Sequence, residues 1–151
     1  MFPDLNLPKA EIQIKGDQIW DRLRKKYLKC TPEEWVRQNF IFYLIDQLNF
    51  PEGRMVSEYK VVYNGLNKRC DIAVFDAYSK CQVIVECKAP KIKITEDTFY
   101  QIAKYANVLK AQLLILSNGL EHYCALINPE QGTISYLQDI PSYDQIEQFI
   151  G

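Results

Sequence analysis

Residues 81–90, CQVIVECKAP, decide the fold. The run through Val83, Ile84 and Val85 is β-branched and holds no polar residue, as expected of a strand lying deep in a sheet. Ala89-Pro90 ends it. Strand side chains alternate, so Glu86 and Lys88 share one face with Ile84, while Val83, Val85 and Cys87 face the other way. Residues 70–76, CDIAVFD, read as the preceding strand, with a turn at Ala77 to Lys80. If the two strands are antiparallel neighbours, the start of one lies beside the end of the other. Asp71 then sits close to Glu86. On the far side, a helix from Thr95 or Glu96 to Lys110 leads into LLILS, residues 113–117. That step has the length of a βαβ crossover, which makes strands 81–88 and 113–117 parallel.

Working outward, residues 55–63, MVSEYKVVY, form a strand that Asn64-Gly65 turns back into 70–76. Upstream, Thr31 is an N-cap, Pro32 suits the first helical position, and Glu33 and Glu34 suit the positive end of the helix. Val36, Phe40, Tyr43, Leu44 and Leu48 give that helix a core face, and it should stop near Asn49. Residues 11–20 read as two short strands about Gly16-Asp17. Residues 22–29, RLRKKYLK, hold five cations and are expected to be a solvated connector; the competing reading is an edge that contacts phosphates. Downstream, Asn118-Gly119 turns the chain into a strand at 121–127. Asn128-Pro129 and Gly132 make the next turn, 133–137 is a last strand, and Ser142 caps a short terminal helix. The expected fold class is α/β, a central mixed β-sheet flanked by helices, in one domain over residues 1–151.

The 151 residues are 48% hydrophobic and 25% charged, with ten Tyr and seven Phe, which argues against intrinsic disorder. No apolar run approaches a membrane span, and MFPDLNLPKA has no signal-peptide pattern, so the expected location is the cytoplasm, with no membrane partner. Eighteen Lys and Arg against nineteen Asp and Glu give a net charge of -1. Bulk positive charge therefore cannot drive nucleic-acid binding, and any such contact must use a local patch. The cysteines, Cys30, Cys70, Cys81, Cys87 and Cys124, are odd in number and include no CxxC pair, which points to a reducing compartment. A zinc site is disfavoured by the single histidine, His122, for which a structural role is expected.

The chemistry centres on Asp71, Glu86 and Lys88. Two carboxylates together at the edge of an apolar layer repel each other and are costly to bury. A hard cation resolves that cost, and Mg²⁺ takes one or two carboxylates while keeping several waters. Lys88, two residues from Glu86 on the same face, could orient or deprotonate a water or neutralise charge on a phosphate. Against this stands the ordinary surface Glu-x-Lys ion pair. The apolar run before the charges argues for the site. On the second helix, whose apolar stripe is Ile102, Ala106 and Leu109, Gln101 and Tyr105 lie at i and i+4 on one face. They could touch a phosphate or order water, or be a half-buried polar pair.

Asp71, then Glu86-Cys87-Lys88, then Gln101 to Tyr105 resembles the PD-(D/E)XK nuclease core with the trailing QxxxY motif of its RecB-like branch. TPEEWVRQNF, KRCDIAVFD, VECKAP and the SNG turn more narrowly resemble the N-terminal nuclease domain of type I restriction enzyme R subunits. The likeness runs from about Trp20 to Gly119. It implies a restriction-endonuclease-like core and Mg²⁺-dependent hydrolysis of DNA phosphodiester bonds, with Mn²⁺ as a substitute. By resemblance Asp71 and Glu86 bind the metal, with the Cys87 backbone carbonyl as an extra ligand. Lys88 assists water attack, and Gln101 and Tyr105 contact substrate or order the site. The family's helix Glu maps to Glu34, which equally fits a capping box that bonds back to Thr31. Cys70 stands where the family has Pro. The implied partner is DNA, with other restriction or repair subunits supplied in trans. No GxxxxGK[ST] loop is present, so no motor is expected within these residues. The alternative function is a catalytically inactive nucleic-acid-binding or protein-interaction module on the same fold, which the near-neutral charge favours and the intact Asp71, Glu86 and Lys88 oppose.

Overall fold

The computed structural model describes residues 2–128 and 130–150. Three short strands, β1 (Ile14–Lys15), β2 (Gln18–Asp21) and β3 (Lys26–Lys29), form a small antiparallel sheet. Helix α1 (Pro32–Phe42) follows and continues through a π-helical turn at Tyr43–Gln47. It is capped as its sequence suggests: Thr31 Oγ1 accepts from the Glu34 N–H at 3.1 Å, and Pro32 opens the first turn. Asn49, at φ +61°, ends it in the left-handed conformation.

The main sheet has the order β4-β5-β6-β7-β8-β9, with β4 Met55–Tyr63, β5 Leu66–Phe75, β6 Cys81–Cys87, β7 Leu113–Ser117, β8 His122–Ile127 and β9 Ile134–Leu137. Only β6 and β7 pair in parallel, joined by helix α2 (Glu96–Ala106), and every other neighbouring pair is antiparallel. Helix α3 (Tyr143–Ile150) closes the described chain. The turn expected at Asn128-Pro129 includes Pro129, which lies outside the described residues. No described helix is long and apolar enough to cross a membrane.

The alternation within β6 sorts the core. Val83, Val85 and Cys87 join Val36, Phe40, Ile41 and Leu44 of α1, with Ile146 of α3, on one face. Ile84 joins Leu114, Leu116 and Phe99, Ile102, Ala103 and Ala106 of α2 on the other. Burying Ile84 or Leu114 fully is worth roughly 1.5–3 kcal/mol each. Two covered faces explain why β6 and β7 read as unbroken apolar runs.

Two expectations change. The RLRKKYLK segment is not a solvated connector: it makes the turn into β3, and its arginines clamp the small sheet to the body. Arg22 pairs with Asp46 and Glu52, both at 3.1 Å, and Arg24 with Asp21 at 2.6 Å and Glu58 at 3.2 Å. Local sequence cannot show such partners, because most are far along the chain. The second helix also stops short of Lys110: a 3₁₀ turn covers Asn107–Leu109, and Lys110 takes the left-handed position that ends it. His122 bridges two segments, with Nδ1 2.7 Å from Ser117 Oγ and Nε2 2.8 Å from the Asn6 carbonyl oxygen. All five cysteines are free.

Candidate active site

The β5–β6 ladder shifts register between Val74 and Phe75, runs regularly from the Val74–Val83 pair to Ile72–Val85, and has no further pair beyond it. Where backbone pairing stops, side chains take over. The Cys87 N–H donates to Asp71 Oδ2 at 2.7 Å, and the Asp71 N–H reaches Glu86 Oε1 at 3.3 Å. The structure therefore brings Asp71 and Glu86 together at the end of two strands whose apolar residues fix their register. Glu86 is only 7% exposed. Burial, then the neighbouring Asp71 charge, pushes its carboxyl up to about 8. Burial also raises Asp71. With both carboxyls raised by burial and Glu86 further by the Asp71 charge, the pair favours holding a proton between them over two bare charges.

The other residues singled out by sequence lie at different depths. Lys88 is half-buried beyond Glu86, anchored through its own N–H to the Ser117 carbonyl at 2.8 Å, and its charge acts on Glu86. Tyr105, on α2, turns its hydroxyl toward Glu86, and its own ionisation is strongly suppressed by burial and by that carboxyl. Gln101, one turn earlier, is exposed and makes no side-chain hydrogen bond among the described residues. The Cys87 thiol belongs to the α1-side core and is buried, so only backbone atoms of this residue are available to the cleft.

Glu34 has a divided role. Its N–H is capped by Thr31, but its carboxylate does not return to the Thr31 backbone, whose N–H bonds Lys29 instead. The carboxylate turns inward, accepting from Gln38 Nε2 at 2.9 Å and lying 3.5 Å from Arg37 Nε. Burial raises it and Arg37 partly offsets that.

Arg37 and Glu58 were not legible as site residues. The Arg37 guanidinium, 6% exposed, stands among three carboxylates: Glu34, Glu58 at 3.2 Å and Asp71 at 3.4 Å. Its Nε and Nη1 are near carboxylate oxygens but too poorly aligned to hydrogen-bond, so charge rather than directed bonding holds it. Glu58 lies within β4 opposite Asp71, between the Ser57–Ile72 and Tyr59–Cys70 pairs, and adopts φ +52°. A left-handed non-glycine residue costs about 1–3 kcal/mol and persists only where its surroundings enforce it. Here Arg24, Arg37 and Arg69 converge on its carboxylate, which they hold below its usual range against the opposing effect of burial. The Glu34-x-x-Arg37 spacing is the one sequence signal for this cluster, since i,i+3 places both on one helical face.

The donor set suits a hard cation. Carboxylate and backbone oxygens are present, and the like-charge pair favours either a proton or a cation. Among the described residues no three His, Cys, Asp or Glu side chains converge on one cation position. Two carboxylates with waters are the Mg²⁺ pattern rather than a closed zinc or calcium cage.

A mixed sheet with helices on both faces and paired carboxylates where two central strands part is a restriction-endonuclease-like core. The chain belongs to the type I restriction enzyme R protein N-terminus family (HSDR_N), which matches residues 32–141. Among solved structures it is similar to a fragment of a protein assigned as an HsdR subunit of a type I restriction enzyme from Vibrio vulnificus YJ016. The identity is 16% and the TM-score 0.51, over 72% of this chain and 23% of that one. It is also similar to DrdV in a DNA complex, at 18% identity and TM-score 0.48, over 79% of this chain and 12% of that one. The chain thus spans less than a quarter of the length of either structure. No curated protein matches it.

Proposed function

We propose that this domain is a Mg²⁺-dependent deoxyribonuclease of the PD-(D/E)XK type, hydrolysing DNA phosphodiester bonds in restriction-modification. The observation that carries this reading is the pairing of buried Glu86 with partly buried Asp71 at the parting of β5 and β6, with Lys88 on the same strand end. Asp71, Glu86 and the Cys87 backbone carbonyl would hold the ion, with Mn²⁺ able to replace Mg²⁺. The ion would supply Lewis-acid polarisation of the scissile phosphate and a more acidic water. Lys88 has donors only, so its part is to orient the water and stabilise charge growing on the phosphate. The Tyr105 hydroxyl supports Glu86, and the exposed Gln101 is free to meet substrate. Lys91 and Lys93, exposed on the loop after Lys88, provide a local cationic patch in a chain whose net charge is -1. DNA is the partner, and motor or specificity subunits of a restriction system, acting from the cytoplasm, would deliver it.

The test is nicking of supercoiled plasmid by the purified chain, with and without those subunits, in Mg²⁺ and in EDTA. Metal-dependent nicking that Glu86→Ala abolishes is expected. Metal binding without any cleavage, even with subunits added, would favour the non-catalytic DNA-binding or protein-interaction module instead.

A further inference from the structure

We infer that the β4–β5 hairpin is a two-stranded arm that enters a groove of double-stranded DNA and carries the duplex past the carboxylate pair. The inference rests on the deoxyribonuclease reading and adds to it the form of the substrate and the surface that grips it.

The arm exists because β5 outruns one of its neighbours. β6 pairs with β5 only as far as Ile72–Val85, whereas β4 goes on pairing with β5 through Tyr59–Cys70, Lys60–Arg69, Val61–Lys68, Val62–Asn67 and Tyr63–Leu66. Val61 and Cys70 root this ribbon in the α2-side core. From Val62 through Arg69 it is exposed, apart from the half-buried Tyr63. Asn64 at φ +52° and Gly65 at φ +75° close it in the tight two-residue turn that matches the twist of a hairpin. At about 3.4 Å per residue the ribbon is roughly 14 Å long. That exceeds the ~8.5 Å depth of the DNA major groove, which is ~12 Å wide and admits a two-stranded ribbon.

The charge of the arm selects the occupant. Residues 59–70 hold Lys60, Lys68 and Arg69 and no acid, in a chain whose net charge is -1. Cross-strand partners share a face, so Lys60 and Arg69 stand together on one face of the ribbon and Lys68 stands on the other. A ribbon that enters tip-first between two phosphate backbones meets anions on both faces. Like charges directly opposite each other destabilise a strand pair. Glu58 answers only the Arg69 end of the Lys60–Arg69 pair, at 3.6 Å, and the Arg69 side chain stays 62% exposed. Among the described residues neither Lys60 nor Lys68 takes part in a salt bridge. A phosphate lying across this pair relieves the repulsion that the protein leaves standing. The root of the arm adjoins the chemistry, since Arg69 is two residues from Asp71. At the tip, Asn64 and Asn67 offer amides, and Val62 and Leu66 offer apolar surface, to base edges.

The experiment measures binding without cleavage. In EDTA, fluorescence anisotropy follows a labelled mixed-sequence duplex of about 20 base pairs, and its single strand, titrated with the full chain between about 50 and 200 mM NaCl. Wild type is expected to bind the duplex at least about tenfold more tightly than the single strand. Lys60→Ala with Lys68→Ala should weaken duplex binding at least about tenfold at low salt and lower the slope of log affinity against log salt by about two. Lys26→Ala with Lys29→Ala removes the same charge from exposed positions on β3 and should stay within about threefold of wild type. Equal losses in the two double variants would show that net charge rather than the arm is felt, and would overturn the inference. So would equal affinity for duplex and single strand. Unchanged duplex affinity in Lys60→Ala with Lys68→Ala, accompanied by new self-association in light scattering, would make the lysines guards of the open strand edges and overturn it too. Plasmid nicking undiminished by loss of both lysines would overturn the arm and leave the deoxyribonuclease reading standing. A wild type that neither binds DNA in EDTA nor nicks it in Mg²⁺ would overturn that reading, and this inference with it.

Discussion

Metal affinity should rise steeply with pH up to about 8. The perturbation is pH alone, and the group responsible is Glu86, whose carboxyl burial and the Asp71 charge push up to about 8. A cation needs the ionised form, so below that value binding must first expel a proton. Two pH units lower, at pH 6, only about 1% of Glu86 is ionised, and apparent Mn²⁺ affinity should be about 100-fold weaker than its plateau. The sign for stability is the opposite. Glu86 is raised from an ordinary 4.5, so without metal its contribution is fully present below about 4.5 and is lost as pH rises through about 8. Metal-free protein should therefore lose stability from this group across that window, while the gain in Tm on adding Mn²⁺ grows. The assay is calorimetric Mn²⁺ titration at pH 6, 7 and 8 in buffers of different ionisation enthalpy, which also counts released protons. About one proton per ion is expected at pH 6 to 7. Affinity that varies less than about threefold over this range, with no proton released, would refute the reasoning.

Three further outcomes follow from single side chains. Lys88→Ala should leave Mn²⁺ affinity nearly unchanged, or slightly better, and slow plasmid nicking by at least about 100-fold, read on agarose gels; undiminished nicking would remove Lys88 from the chemistry. Tyr105→Phe takes away a hydroxyl that lowers the Glu86 pKa, so the pH midpoint of Mn²⁺ binding should move upward, and a downward move would contradict the contact. Thr31→Ala deletes the α1 cap and should cost about 1 kcal/mol in urea unfolding, with an unchanged m-value.

The main sheet was legible because its rules are local. VIVECKA and LLILS are apolar runs bounded by turns, and alternation alone puts Glu86 on the face of Ile84, opposite Val85. The cap at Thr31 and the parallel β6–β7 step were legible for the same reason. The charged residues were not. RLRKKYLK looks like a solvated stretch, since nothing near Arg22 announces Asp46 or Glu52. Glu34 offered two local readings, and only the packing of α1 shows its N–H capped and its carboxylate turned inward. Arg37 sits beside core positions on an amphipathic helix, where a cation reads as surface. Glu58 looks like any strand residue, because its left-handed backbone is imposed by arginines from β3's turn, α1 and β5. Ion-pair partners and backbone strain are properties of the assembled fold, and a one-dimensional pattern carries little of either.

The central claim is that Asp71 and Glu86 form the two sides of one metal position. Anomalous scattering from a crystal soaked in Mn²⁺ near pH 8 tests it most directly. The account predicts a single strong peak in contact with carboxylate oxygens of both residues, absent from Glu86→Ala crystals. A peak elsewhere, or none at this position in well-ordered wild-type crystals, would contradict it.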